Sequence, residues 1–372
     1  MRNDPGVSTA ARPGKAMRRV LLVGKGPPEA GGIPAFLTAL LDSRLAASHD
    51  LRMCNLSDLS VAEGGRLSTA NLRRMGRDLR RVWSASADRD VVHIHTALSP
   101  TVTCLRAGAL ALVARLRNTR VVVHVHGGLV ASWMVGRPRR LATRLALAPA
   151  TTVVTVCLAG RDALTGLLGP RKVVLIDNGI DVDAVPASVP DGVGPPRVVF
   201  AGLLSERKGL FELFEASRRL REVGMDHELV VAGGNHEEGA GEERRIREAG
   251  RDVATFTGQL DREGVMRLLA DADVMILPSW VEAMPLILLE AMAAGVAVVA
   301  TAVGDIPRVV IDGSTGRLVP PRDVDALTSA LHDLLENPDE RARLAAAGRD
   351  HVATSFGLNR TLEALDRLYA AG

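Results

Sequence analysis

VMILPSWVEAMPLILLEAMAAGVAVVATAVG, residues 274–304, is the stretch from which the fold can be read. Val274–Leu277 is a short apolar run, Leu286–Ala294 is helical by composition and length, and residues 296–300 are apolar and β-branched again. Strand, helix and strand in that order make a crossover unit, and strands without polar alternation are buried on both faces of a parallel sheet. Pro285 suits the first turn of the helix. Glu282 lies in the loop before it, and Glu290 inside its otherwise apolar length. A carboxylate in such a helix is costly unless a partner or a ligand satisfies it, and the residues alone leave both readings open.

The same alternation extends in both directions. Upstream, apolar runs at 20–23, 91–94, 121–125, 152–156 and 173–176 read as strands, with a helix over 33–45. Periodicity then disappears in a Gly/Pro-rich linker near residues 181–196. It restarts with a strand at Arg197–Ala201, a helix over 209–223, a strand at 229–232 and a helix over 261–270. Segments Val324–Glu336, 339–354 and 359–370 are helical by spacing and contain no strand. The expectation is an α/β protein of two doubly wound domains, residues 17–183 and 184–354, after a polar tail of residues 1–16. Ligands of open parallel sheets bind beyond the carboxyl ends of the strands, so a cleft between two such sheets is the natural site.

Composition removes several classes of function. With 47% apolar and 24% charged residues the chain is globular. Aromatics at 3% leave little from which to build a stacking platform, so nucleic acid is not expected as a partner. Three cysteines, Cys54, Cys104 and Cys157, make neither a disulfide framework nor a zinc spacing, which fits a reducing compartment such as the cytoplasm. No run of about 20 apolar residues is unbroken, so no transmembrane helix is expected. The net charge of +3 conceals a division: residues 1–183 carry +13 and the remainder −10. A basic half of that kind implies an anionic partner.

Four features carry candidate chemistry. Gly24 to Phe36, GKGPPEAGGIPAF, follows the first strand and opens the first helix, where glycines let backbone approach an anion, although Gly/Pro clusters also make plain turns. Arg207 and Lys208 follow the first strand of the second domain at the start of a helix, a poor place for cations unless an anion lies there or solvent screens them. Glu282 and Glu290 form the third. His93, His95, His124 and His126 alternate on two strand ends, which raises a metal site, but no nearby carboxylate or cysteine completes one. His126, before Gly127 and Gly128, is read as a ligand contact and the other three as packing or supporting residues. Asp181-Val182-Asp183 and Asp271-Ala272-Asp273 match a metal-binding D-x-D by letters only.

In this order the features resemble the retaining GT-B glycosyltransferases of family GT4, over nearly the whole chain. The most specific element is E-x7-E, here Glu282 to Glu290. The resemblance implies two Rossmann-like domains facing across a cleft, and a metal-independent transfer of a hexose-type sugar from a nucleoside diphosphate sugar, UDP- or GDP-linked. No tightly bound cofactor is implied. It places Gly31 and Gly32 by the donor phosphates and sugar, His126 beside the sugar, and Lys208 on the diphosphate. Glu282 would contact sugar hydroxyls and Glu290 the ribose. Backbone at Met284, Leu286 and Ile287 would present amides, and Gly258 to Leu260 would cradle the base. Asn178-Gly179-Ile180-Asp181 matches a hinge-proximal motif, and the last helix, within 355–370, would cross back to the first domain. Leu203 stands where the family has an arginine, and Arg207 is the candidate replacement. Ala283 stands where glycine is common.

The basic half would then face the acceptor, a glycan or polyprenyl-phosphate-linked molecule in polysaccharide or cell-envelope synthesis. Residues 66–83 read as a helix with Leu72, Met75, Leu79, Val82 and Trp83 on one stripe and Arg73, Arg74, Arg77, Arg80 and Arg81 elsewhere. That stripe packs a core or, with Arg137, Arg139, Arg140 and Arg144, meets an anionic membrane from the cytoplasmic side. A same-fold nucleotide-sugar epimerase and a catalytically silent nucleotide-sugar-binding protein are the competing readings.

Overall fold

The computed structural model describes residues 17–29, 31–57, 69–188, 194–234 and 240–371. The expected tail, residues 1–16, and the start of the Arg-rich segment, 66–68, lie outside the described residues. The first half runs β1 (Arg19–Gly24), α1 (Gly32–Leu41), α2 (Arg44–Ser48), β2 (Asp50–Asn55), α3 (Thr69–Ala85), β3 (Val91–Thr96), α4 (Thr101–Leu116), β4 (Arg120–Val125), α5 (Val130–Trp133), α6 (Arg137–Leu147), β5 (Thr152–Thr155), α7 (Leu158–Leu168) and β6 (Val173–Leu175). The second runs β7 (Arg197–Ala201), α8 (Leu210–Glu222), β8 (Glu228–Ala232), α9 (Ala240–Gly250), β9 (Thr255–Gly258), α10 (Arg262–Ala270), β10 (Val274–Leu277), α11 (Leu286–Ala294), β11 (Ala297–Thr301), α12 (Ile306–Val309), β12 (Arg317–Val319), α13 (Val324–Glu336), α14 (Pro338–Ser355) and α15 (Leu358–Ala370).

Each half is a six-stranded parallel sheet, in the orders β2-β1-β3-β4-β5-β6 and β12-β11-β10-β7-β8-β9. The strand order reverses beside β1 in the first sheet and between β7 and β10 in the second. Crevices open at such switch points because the crossover helices on either side leave in opposite directions. Central strands are buried on both faces, which is why their sequences show no polar alternation.

The sequence left β2, β9 and β12 unassigned, and all three are outer strands. β2 and β9 are half exposed, so their polar residues hide the pattern. The single helix expected over 33–45 is two, because the Ser43 side chain accepts from the Leu45 backbone and starts α2.

Two chain segments join the halves. Asn178, Gly179 and Ile180 lie against residues 356–358: the Ile180 N–H donates to the Phe356 carbonyl at 2.9 Å, and the Leu358 N–H to the Ile180 carbonyl at 2.8 Å. A Cβ on Gly179 would come within 2.8 Å of Leu358 Cα, so only glycine allows this crossing. α15 then packs Leu362, Leu365 and Tyr369 with Val20, Leu22 and Val122 of the first sheet.

The α3 stripe is partly as expected: Val82 is buried in the first-domain core and Leu79 packs against it. Leu72 and Trp83 are 52% and 44% exposed, whereas Arg74 and Asp78 are buried, Arg74 donating to the Leu56 carbonyl and Asp78 accepting from Arg106. Helical spacing cannot reveal this rotation of the buried face, because polar partners on neighbouring elements help decide which face is buried.

Candidate functional site

The loops at the two switch points meet. Lys208 ends a one-turn 3₁₀ helix, Glu206–Lys208, after β7, and Gly209 behind it has φ +70°. A Cβ there would lie 2.0 Å from the Pro278 carbonyl oxygen, so glycine seats this turn against the end of β10. The Lys208 ammonium is thereby brought to the Glu282 carboxylate, with which it forms a direct ion pair. Both side chains are nearly buried, 12% and 11% exposed. Arg207 gives its backbone carbonyl to the Trp280 N–H at 2.8 Å, so its main chain holds the Glu282 loop.

The loop of Glu282 to Met284 is held from three sides. A Cβ on Gly128, which follows β4 in the other half, would sit 2.5 Å from the Glu282 carbonyl carbon, and one on Gly304 would sit 2.2 Å from its oxygen. On the third side the buried Asn178 amide donates to the Met284 carbonyl at 2.8 Å. The departure Ala283 is buried and packs with Val156 and Cys157 of the first half.

α11 starts at Leu286, and its first N–H groups, those of Leu286 and Ile287, have no partner within the helix. Gly32, the first residue of α1, lies against the Leu286 side chain, to which its Cβ would approach at 3.9 Å. The N-termini of α1 and α11 therefore come together across the cleft. Gly31, with φ +132°, has open space beside it.

Glu290 lies one turn deeper in α11, 8% exposed. Burial raises its pKa, against a weaker opposing effect of Arg262. Gly258, with φ +78°, ends β9, and Leu260 follows it toward α10, so these two sit at the sheet's outer edge, away from the Lys208 pair.

His126 accepts or donates at 3.0 Å to His95, and His93 does so at 2.6 Å to the Tyr369 hydroxyl brought by α15. The four imidazoles stack on one face of β3 and β4 beneath Phe36. Desolvation pushes His126 and His93 down to about 3, and holds His95 and His124 well below the usual imidazole range. Ring nitrogens of His93, His95 and His124 lie within 4.8 Å of one another. Zinc would draw three such nitrogens to about 3.4 Å, given bonds of about 2.0–2.1 Å.

Several residues at this junction escaped the sequence reading. Asp305, 3% exposed, accepts from the Leu158 N–H of the first half at 3.0 Å, and Arg308 bridges Asp305 at 2.7 Å and Asp177 at 2.8 Å. These bonds raise the Arg308 pKa, chiefly the one to Asp177. Tyr369 and Gly128 were missed as well. No spacing rule marks them, because, apart from the Arg308–Asp305 pair, their partners are more than 100 residues away. The D-x-D matches are structural: Asp273 accepts from the Arg197 N–H at 2.8 Å, and Asp181 precedes a 3₁₀ turn.

Comparison with known proteins accords with this geometry. The family described as "Glycosyl transferases group 1" matches residues 183–351, and "Glycosyltransferase Family 4" matches residues 45–184. The chain is 30% identical over 332 residues to a protein named glycogen synthase from Mycobacterium tuberculosis, covering 84% of this chain and 75% of that one. It is 30% identical over 351 residues to a phosphatidyl-myo-inositol mannosyltransferase from Mycolicibacterium smegmatis, covering 87% and 86%. The structure of Anabaena Alr3699/HepE in complex with UDP-glucose superimposes with a TM-score of 0.73 at 16% identity, covering 95% of this chain and all of that one.

Proposed function

The chain belongs to the group 1 glycosyltransferases of family 4, and from that premise we propose that it moves a hexose-type sugar, with retention, from a nucleoside diphosphate sugar to a lipid-linked acceptor in envelope or polysaccharide synthesis. The observation that carries the reading is the Lys208–Glu282 pair, set where the N-termini of α1 and α11 converge.

Cleavage of the bond from sugar to diphosphate leaves the electron pair on the diphosphate and positive charge on the sugar ring. Lys208 and the amides of Leu286 and Ile287 face the growing negative charge, the largest contribution expected in such a site. In this assignment the diphosphate takes Lys208 from Glu282. The freed carboxylate then accepts from sugar hydroxyls, so the ion pair is the resting form of the donor site. Gly31 and Gly32 leave room for the diphosphate, and Met284 orients the loop through its carbonyl. His126, held neutral by burial, is a hydrogen-bond partner for the sugar rather than a cation. Glu290 takes the ribose, Gly258 and Leu260 the base, and Arg207 lies beside the phosphates in place of the arginine absent at Leu203. The domain boundary proposed is 183/184, with 355–370 returned to the first domain.

Uracil is the preferred donor base, on the likeness to Alr3699/HepE in complex with UDP-glucose. The mannosyltransferase relative's name supports a lipid acceptor. No described helix is long and apolar enough to cross a membrane, and the +13 half is assigned to a membrane surface on the cytoplasmic side. The test is donor turnover without acceptor: Lys208→Ala and Glu282→Ala should each abolish slow hydrolysis of UDP-glucose or GDP-mannose. Two variants that bind and turn over donor normally refute the assignment.

A further inference from the structure

Three imidazoles of the first sheet are arranged as a ligand set. The parallel register of β3 and β4 sets His95 beside His124, and His93 lies two residues before His95, so all three project from one face of the sheet. Each offers a ring nitrogen within 4.8 Å of the others, and none is more than 6% exposed. We infer that His93, His95 and His124 bind a divalent zinc ion beneath Phe36 of α1. The inference goes beyond the donor reading and does not rest on it, because the ligands belong to the first sheet alone.

Unmet hydrogen bonding is the first support. His93 Nε2, His95 Nε2 and both ring nitrogens of His124 have no hydrogen-bond partner among the described residues. Buried polar atoms are ordinarily paired, and a cluster of such orphans is costly if the rings only fill space, a role that apolar side chains take without that cost. Phe36 covers them, its ring centre 5.7 Å from that of His95 and 5.3 Å from that of His124. Burial also keeps the three rings neutral, the form in which imidazole binds a metal.

The nitrogens on the other side of the rings are the second. His93 Nδ1 meets the Tyr369 hydroxyl at 2.6 Å, and His95 Nδ1 meets His126 Nε2 at 3.0 Å. Metal-binding histidines are oriented in this way, through the nitrogen that does not touch the ion. Both ties use Nδ1 and leave Nε2 for zinc. With the ion on its Nε2, His95 carries its hydrogen on Nδ1 and donates it to His126.

Spacing is the third. Two imidazoles on one tetrahedral zinc have ring centres about 5 Å apart, given bonds of about 2.0–2.1 Å. The observed separations are 5.3 Å for His93 and His124, 5.2 Å for His95 and His124, and 4.2 Å for His93 and His95. Turning the rings, with the strands in place, therefore brings the nitrogens together. No carboxylate or cysteine is needed, because three histidines hold zinc when the fourth position takes water or an anion, whereas magnesium and calcium require oxygen ligands. His95 also lines a cavity of about 340 Å³ between α3 and α4, which gives the ion an entry and the fourth ligand a place.

The test uses the full chain, stripped with a chelator and dialysed. Zinc titration with metal analysis is expected to show one tight equivalent, and cobalt(II) the intense visible bands of a tetrahedral site, lost when zinc is added. His124→Gln should weaken zinc binding by about 100-fold or more, and Tyr369→Phe, which keeps all three ligands, by about 10-fold. His332→Ala, at a half-exposed histidine beside Glu336, should leave it unchanged. X-ray absorption of the zinc-loaded wild-type chain, which needs no variant, should show three imidazoles and no sulfur, and it carries the test if His124→Gln does not fold. The inference is overturned by the absence of a tight equivalent, by sulfur or fewer than three imidazoles at the ion, or by unaltered affinity in a folded His124→Gln or Tyr369→Phe chain. Loss of the equivalent in His332→Ala overturns it as well, since the ion would then sit on the surface.

Discussion

Gly128→Ala adds one methyl group at the contact between the halves. Its carbon would lie 2.5 Å from the Glu282 carbonyl carbon, 2.6 Å from the Ala283 nitrogen and 2.7 Å from the Glu282 oxygen. Ordinary carbon contacts begin at about 3.5 Å, so the Glu282 loop or the whole cleft must yield by about 1 Å. The contact is with backbone on both sides, and no side-chain rotation relieves it. Overpacking of this kind costs about 1–3 kcal/mol in stability, and a catalytic group misplaced by about 1 Å costs about 100-fold in rate. The expected outcome is a folded protein whose donor turnover falls about 100-fold, while nucleotide affinity changes far less. Gly166→Ala in α7 is the control: nothing lies within 4 Å of its Cβ, and a helical Gly→Ala should stabilise by about 0.5–1 kcal/mol. Steady-state kinetics, UDP titration and thermal denaturation of both variants decide the matter. A Gly128→Ala protein with wild-type kcat would falsify the view that this contact positions Glu282.

Acid should destabilise the imidazole stack. His93 and His126 titrate near 3 in the fold against an ordinary 6.5, so between those values the unfolded chain binds protons that the folded one does not. Their contribution is complete above about pH 6.5 and declines below it by about 1.4 kcal/mol per pH unit for each histidine. Denaturant titrations from pH 7.5 to 5 should show this slope, and His124→Leu should flatten it; parallel curves would count against the stack as its cause. Asp305→Ala removes the acceptor of the Leu158 N–H and a partner of Arg308, and should cost about 1.5–3 kcal/mol in denaturant unfolding. Glu290→Ala should weaken UDP binding by roughly 10–100-fold, as expected for loss of a hydrogen bond to a charged group, with kcat at saturation less affected. Co-sedimentation with anionic vesicles should fall steeply with salt and be absent with neutral ones; salt-insensitive behaviour contradicts the membrane surface.

Sequence by itself determined the parallel sheets, the two-part architecture and the loop that carries Glu282. Those properties follow from local composition: unbroken apolar runs must be covered on both faces, and Pro285 and the glycines shape their own turns wherever the chain lies. Lys208 and Glu282 were legible as single candidates for the same reason. Only tertiary structure decided that they pair, since the close approach of Gly209 to Pro278 seats the Lys208 turn against the loop that carries Glu282. It also rotated the buried face of α3, keeping Val82 inside. Leu72 and Trp83 face outward because Arg74 and Asp78 find buried partners in Leu56 and Arg106. Helical periodicity ranks residues by their own polarity, whereas burial of a charge depends on a partner that sequence spacing does not bring into view. The charge division shows the same limit. Counting residues located a basic half, but the fold selected Lys25, Arg74 and Arg106 from it and set them around one apolar cavity, while α4 and α6 keep their leucines and arginines on the surface.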